Sequence, residues 1–231
     1  MINIFGLQKL TLIDYPGKTA ATVFLSGCDF NCPFCHNAAL MNDNTKPLND
    51  VNEVLEFLDS RKKLLDGVCI SGGEPLLQPG VLEFCKEVKS LGIEIKLDTN
   101  GQNPELLKNL ADNKLVDYIA MDIKSSLHNY SKAVGITDFD TSNIEESARF
   151  LLTGIIPYEF RTTVVEQLHT DDDFHSIGQW LKGAKNYFLQ TFILSGDVPD
   201  KNLNAYSSYN MKRFCDILNS YRINANLREE G

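Results

Sequence analysis

Ala21-Thr22-Val23-Phe24-Leu25-Ser26-Gly27-Cys28-Asp29-Phe30-Asn31-Cys32-Pro33-Phe34-Cys35-His36-Asn37 is a short β-branched run that empties into a loop of three cysteines. Its first five residues read as a strand. The loop has the spacing C-x3-C-x2-C, so three thiolates within eight residues can converge on one metal centre. Structural zinc normally takes four ligands from two separated pairs. His36 adjoins Cys35 and is awkward to wrap onto the same ion. A cubane iron–sulfur cluster has four irons, each wanting a terminal ligand. Three cysteines leave one iron open, and an open iron can bind a substrate. Zinc, or a cluster that only passes electrons, is the plainer alternative.

Outward from this loop the chain alternates. Val51, Val54, Leu55 and Leu58 lie on one helical face. Gly67-Val68-Cys69-Ile70 is a short strand, and Val81, Leu82, Cys85, Val88 and Leu91 mark the next helix, stopped by Gly92. Ile93–Leu97 is a strand, Pro104 starts a helix, and Tyr118–Met121 is a strand. Asn143 is the expected cap of a helix bearing Ile144, Ala148 and Leu151, followed by a strand over Tyr158–Val165. Asp171-Asp172-Asp173 precedes a helix with Phe174 and Ile177, where acidic residues suit the helix dipole better than a metal. Tyr187–Leu194 reads as a strand and Met211, Phe214, Cys215 and Leu218 as the last helix. Ahead of them all, Thr11–Tyr15 reads as an extra strand turned by Pro16-Gly17, giving an N-terminal β-hairpin. Six strand–helix units imply α/β with parallel strands, as either a partial (β/α)6 barrel or an open doubly wound sheet.

The 231 residues fit one domain: a hairpin over 1–19, a barrel core over 20–194, and a loop with a C-terminal helix over 195–231. Lys plus Arg is 22 against 31 Asp plus Glu, a net charge of −9, which argues against broad nucleic-acid binding. No basic leader opens the chain and no apolar run could span a bilayer, so the expected place is the cytoplasm, with no membrane partner. Cys69, Cys85 and Cys215 are scattered among apolar neighbours and read as core thiols. His128, His169 and His175 are isolated and read as surface or core residues, and Ser195–Ser208 as a surface loop.

The motif C-x3-C-x-aromatic-C, with Phe34 in the aromatic slot, resembles the signature of radical S-adenosylmethionine (SAM) enzymes. The resemblance implies a [4Fe–4S] cluster on Cys28, Cys32 and Cys35, with SAM bound on the open iron by its amino and carboxylate groups. Ser71-Gly72-Gly73-Glu74-Pro75 is similar to that family's GGE motif, which places Gly72, Gly73 and Glu74 at the methionyl amino group. Cys35-His36-Asn37, Asp98-Thr99-Asn100-Gly101 and Met121-Asp122-Ile123-Lys124 resemble the glycyl-radical-enzyme activases. Carried over, Asp98, Thr99 and Asp122 line a monovalent cation. Lys124 lies near the SAM carboxylate, Arg161 joins the SAM pocket, and Phe34 and His36 belong to the cofactor surroundings. Cys28, Glu74, Asp98 and Asp122 each follow or end a strand, at the edge where parallel α/β folds gather chemistry, which favours the partial barrel.

The expected activity is reductive cleavage of SAM followed by removal of a hydrogen atom from a glycine of a partner enzyme. Thr11-Leu12-Ile13-Asp14-Tyr15-Pro16-Gly17-Lys18 resembles the activating proteins of anaerobic ribonucleoside-triphosphate reductase, which makes that reductase the expected partner. The expected reductant is flavodoxin or ferredoxin. Pyruvate formate-lyase activases carry a histidine near the end of the sixth strand; here stand Gln190 and Thr191. The alternatives are a pyruvate formate-lyase-type activase, a radical SAM enzyme for a small molecule such as a deazaguanine precursor, and a metal-binding sensor without catalysis.

Overall fold

The computed structural model describes residues 2–41 and 48–228. Internal contacts divide the chain into two compact units, Met1–Asp29 with Ala39–Ala120, and Phe30–Ala38 with Met121–Gly231.

In the first unit, β1 (Ile4–Thr11) pairs antiparallel with β2 (Ala20–Leu25), which runs parallel to β3 (Gly67–Gly72); β3 in turn runs parallel to β4 (Glu94–Thr99). The crossovers are α1 (Val51–Arg61) and α2 (Val81–Ser90), and α3 (Pro104–Asp112) follows β4. Each helix starts and stops for a local reason. Asp50 accepts the Asn52 N–H at the head of α1, Asn103 accepts the Leu106 N–H at the head of α3, and Gly92 takes φ +81° just past α2. Val54, Leu58, Val81, Phe84 and Val88 bury the helix faces, and Val23, Leu25, Ile70 and Leu97 bury the strands. The hairpin is present, but its first strand lies upstream of the expected Thr11–Tyr15. Thr11 Oγ1 accepts the N–H groups of Ile13 and Asp14 (3.3 and 3.2 Å), and this local bonding curls the segment out of extended geometry.

β5 (Tyr118–Asp122) begins in the first unit and ends in the second. The second unit continues with α4 (Tyr130–Val134), α5 (Ser142–Leu152), β6 (Tyr158–Val164), α6 (Asp171–Trp180), β7 (Tyr187–Thr191), α7 (Ser208–Ser220) and β8 (Ala225–Leu227). β6, β7 and β8 are parallel neighbours. Asn143 is not the cap of α5: the cap position is Thr141, and Asn143 lies inside the helix. At α6 the cap is Thr170, whose side chain and that of Asp173 satisfy each other's backbone N–H groups, with the acidic run filling the first turn. Phe174 of α6 stacks on Phe214 of α7 at 4.3 Å between ring centroids. Two elements went unpredicted, α4 and β8, at five and three residues too short for periodicity to show.

Candidate active site

In the first unit the loop Ser71–Pro75 is stitched to the segment that leads into Cys28. Gly73 N–H donates to the Leu25 carbonyl (2.8 Å) and Glu74 N–H to the Gly27 carbonyl (2.7 Å). Glycine is required here. Gly72 has φ +121°, and a Cβ at Gly72 or Gly73 would run into the Leu25 backbone or the Gly27 carbonyl. Glu74, 1% exposed, turns onto the loop after β4. Its carboxyl accepts Thr99 Oγ1 (2.7 Å), Asn100 N–H (2.6 Å) and Leu76 N–H (3.0 Å). Asn100 Nδ2 then donates to Asp29 Oδ1 at 2.7 Å, beside Cys28. Glu74 is therefore a brace between strand ends. Burial raises the Asp29 carboxyl above its ordinary range, against the Asn100 hydrogen bond.

Asp98 of β4 accepts Ser71 Oγ at 2.9 Å and is ion-paired with Lys96. Lys96 stands two residues earlier on the same strand face and is 0% exposed, with Nζ 3.8 Å from Cys69 Sγ. The sequence places Lys96 in a strand without a role; a lone lysine between Ile95 and Leu97 is its one signal. Cys69 is a core thiol as expected, but one that faces an ammonium group.

The second unit holds Cys32, Phe34, Cys35 and His36. Cys32 and Phe34 are buried. Burial pushes the Cys32 thiol up to about 11, with Lys124 pulling the other way, and burial also raises Cys35. Lys124 Nζ lies 5.9 Å from the Phe34 ring centroid. His36 Nε2 meets the Ile193 carbonyl at 2.7 Å, and its ring lies 5.6 Å from Phe192. Asp122 accepts Lys124 Nζ (3.0 Å) and Arg161 Nε (2.8 Å). Burial works against the Lys124 ammonium, but the Asp122 carboxylate and Cys32 hold it above the usual lysine range. The Lys124 backbone is pinned on both sides: its N–H donates to Tyr130 Oη (3.3 Å), and His169 Nε2 meets its carbonyl at 2.9 Å. His169 is fully buried, and burial lowers its pKa. Nothing in its sequence neighbourhood announces this role.

All six cysteines are free thiols. The donor set of Cys28, Cys32 and Cys35 fits a thiolate-bound cluster by its chemistry, and metal binding would remove the proton that burial favours on Cys32 and Cys35. Within neither unit do three His, Cys, Asp or Glu side chains form a preformed ion site among the described residues. The monovalent cation fits poorly, because each aspartate assigned to it already carries a cationic side chain of its own unit.

The sequence profile of the Radical SAM superfamily matches residues 22–181. The chain belongs to this superfamily. Within it, the radical SAM chain is 34% identical over 194 residues to a protein of Methanocaldococcus jannaschii named a glycyl-radical enzyme activating enzyme, covering 82% of this chain and 79% of that one. It therefore belongs with the activating enzymes of glycyl-radical enzymes, whose substrates are protein partners and whose superfamily uses a [4Fe–4S] cluster and SAM. It is also 29% identical over 180 residues to the pyruvate formate-lyase-activating enzyme of Listeria monocytogenes, covering 74% and 71% of the two chains. Among solved structures, a radical SAM methyltransferase from Sphaerobacter thermophilus superposes with a TM-score of 0.73 at 18% identity, covering 95% of this chain and 68% of that one. That likeness shows the fold: α/β with a parallel sheet of radical SAM type. No helix among the described residues is long and apolar enough to cross a membrane.

Proposed function

We propose that this radical SAM activase generates the glycyl radical of an anaerobic ribonucleoside-triphosphate reductase, with Cys28, Cys32 and Cys35 holding the cluster. When bound, the cluster supplies the electron that cleaves SAM. The chain's own residues do the rest. Gly72 and Gly73 let this loop close onto the Leu25 and Gly27 backbone, which shapes the edge offered to the methionyl end of SAM, and Glu74 holds that edge by bracing it to Thr99 and Asn100. Lys124, held by Asp122, and Arg161 present positive charge to the SAM carboxylate. Phe34, buried beside Lys124, keeps water from that charge, while His36 is exposed and is held by the Ile193 carbonyl.

The observation that carries the partner is the segment Thr11–Lys18, whose polar residues are all used structurally. Asp14 accepts Thr22 Oγ1 at 2.5 Å, and Tyr15 Oη and Lys18 Nζ both donate to Glu94 (3.2 and 2.9 Å). Leu12 and Ile13, 70% and 64% exposed, are left pointing outward. A pyruvate formate-lyase-type partner is the second reading, favoured by the Listeria relative. Flavodoxin or ferredoxin is the proposed electron donor and the cytoplasm the proposed location.

Anaerobic electron paramagnetic resonance on the reduced, reconstituted chain with SAM and the reductase tests this. A glycyl-radical doublet is expected. Deoxyadenosine without a doublet moves the partner to pyruvate formate-lyase-like enzymes or a small substrate. An intact reduced cluster that forms neither overturns the reading. Cys28→Ser is expected to lose most bound iron and SAM cleavage; wild-type cleavage by that variant removes Cys28 from the ligand set.

A further inference from the structure

We infer that Lys96 is the built-in counter-cation of Asp98, so that the Asp98–Thr99 edge works without sodium or potassium. The inference rests on the reading of this edge as part of the SAM site. Both Asp98 oxygens are engaged, Oδ1 by Lys96 Nζ and Oδ2 by Ser71 Oγ. Lys96 is wholly buried on the same strand face as Asp98, and buried charged side chains are found paired. The neighbouring Thr99 hydroxyl gives its proton to Glu74 and accepts the Gly101 N–H at 3.0 Å. In the second unit Asp122 is likewise met by Lys124 and Arg161. An alkali ion at Asp98 would have to displace a cation covalently tethered two residues away, which competes at far higher effective concentration than dissolved salt. Cys69 Sγ, 3.8 Å from Nζ, completes the ammonium's surroundings with a soft, weak acceptor. Lys96 is thus a positioning residue: it fixes the orientation and charge of Asp98 without touching SAM.

The test uses the cluster-loaded chain under anaerobic conditions at constant ionic strength, with choline exchanged for sodium or potassium. SAM affinity and the sodium-23 line width are the two readouts. For the wild type, affinity is expected to change by less than about twofold, the scale left to general screening, and sodium is expected to show no saturable broadening. In Lys96→Met, SAM affinity in choline is expected to fall roughly tenfold or more, as for loss of a hydrogen bond to a charged group. Added sodium or potassium should restore part of it, with saturable sodium broadening appearing. Lys96→Met combined with Asp98→Asn removes both charges and is expected to fold and show no cation effect. Saturable enhancement of wild-type SAM affinity by either ion overturns the inference. So does wild-type sodium broadening that Asp98→Asn abolishes. If Lys96→Met fails to fold, the wild-type comparison decides alone. If the wild type binds no SAM in any salt, the functional reading fails, and the sodium signal still judges Lys96.

Discussion

Glu74 is held by three donors, yet burial pushes its carboxyl up to about 8 from 4.5, outweighing the Asn100, Thr99 and Leu76 hydrogen bonds. Between those two values the unfolded chain gives up this proton while the folded chain retains it. Its contribution to stability is therefore complete below about 4.5, declines as pH rises, and is lost above about 8. Relative to Glu74→Gln, which does not titrate, the wild type should lose about 1 kcal/mol of unfolding free energy per pH unit across that window. Urea unfolding of both chains at pH 5, 6.5 and 8 measures the difference; a flat difference would mean that Glu74 is ionised throughout. The Ser71–Pro75 motif was legible in the sequence because glycine and glutamate sit in a recognisable order. That Glu74 turns onto Thr99 and Asn100 was not legible, because its partners lie 25 and 26 residues downstream. Lys96 is a different case: its partner Asp98 stands two residues on, and what the strand pattern does not show is that the lysine is wholly buried there.

At the scale of elements, α4 and its cap support the cysteine loop. Val134, the last residue of α4, accepts the Asn31 N–H at 2.8 Å. Gly135 follows in the left-handed region at φ +70°, donating to the Ser131 carbonyl, and a Cβ there would meet the Asn31 carbonyl. Gly135→Ala should cost about 1–2 kcal/mol for the backbone conformation alone and push Asn31 from its place between Cys28 and Cys32. Iron bound per chain after reconstitution should drop while the circular dichroism spectrum is unchanged; full iron content would show that α4 does not position the loop. Helices and strands with a full face of apolar residues were readable from periodicity. The Thr11 turn, α4 and β8 were not, because a side-chain hydrogen bond, a single helical turn and a three-residue strand leave no period to read.

Over the whole molecule, the alternation with helices made the parallel pairing of the strands legible, whereas the strand order and the division into two units were not. The second unit is closed at its edge by Arg228, which binds Glu159 through two contacts of 2.8 Å and lies 4.5 Å from the Phe188 ring centroid. Glu159 is fully buried and Arg228 23% exposed. Arg228→Ala removes a cationic partner of that buried carboxylate and should destabilise the chain by about 3 kcal/mol, read as a lower urea midpoint. The double variant Glu159→Gln with Arg228→Met should lose less, and equal losses would show that the pair is not coupled. The polar stretch 195–208 also proves more than a loose surface loop. Val198 and Leu203 are buried, and Asp200 N–H donates to the Pro33 carbonyl at 3.0 Å.

That last bond, with the one from Asn31 to Val134, sets an order of events during synthesis. The three cysteines leave the ribosome before either support of their loop; these come only with Val134 and then with Asp200. A nascent chain therefore carries its thiols without the full scaffold that shapes them until Asp200 has emerged. Maturation of the metal centre waits on the Asp200 segment, and a chain truncated before residue 200 should emerge with its cysteines exposed to oxidation or to stray metal.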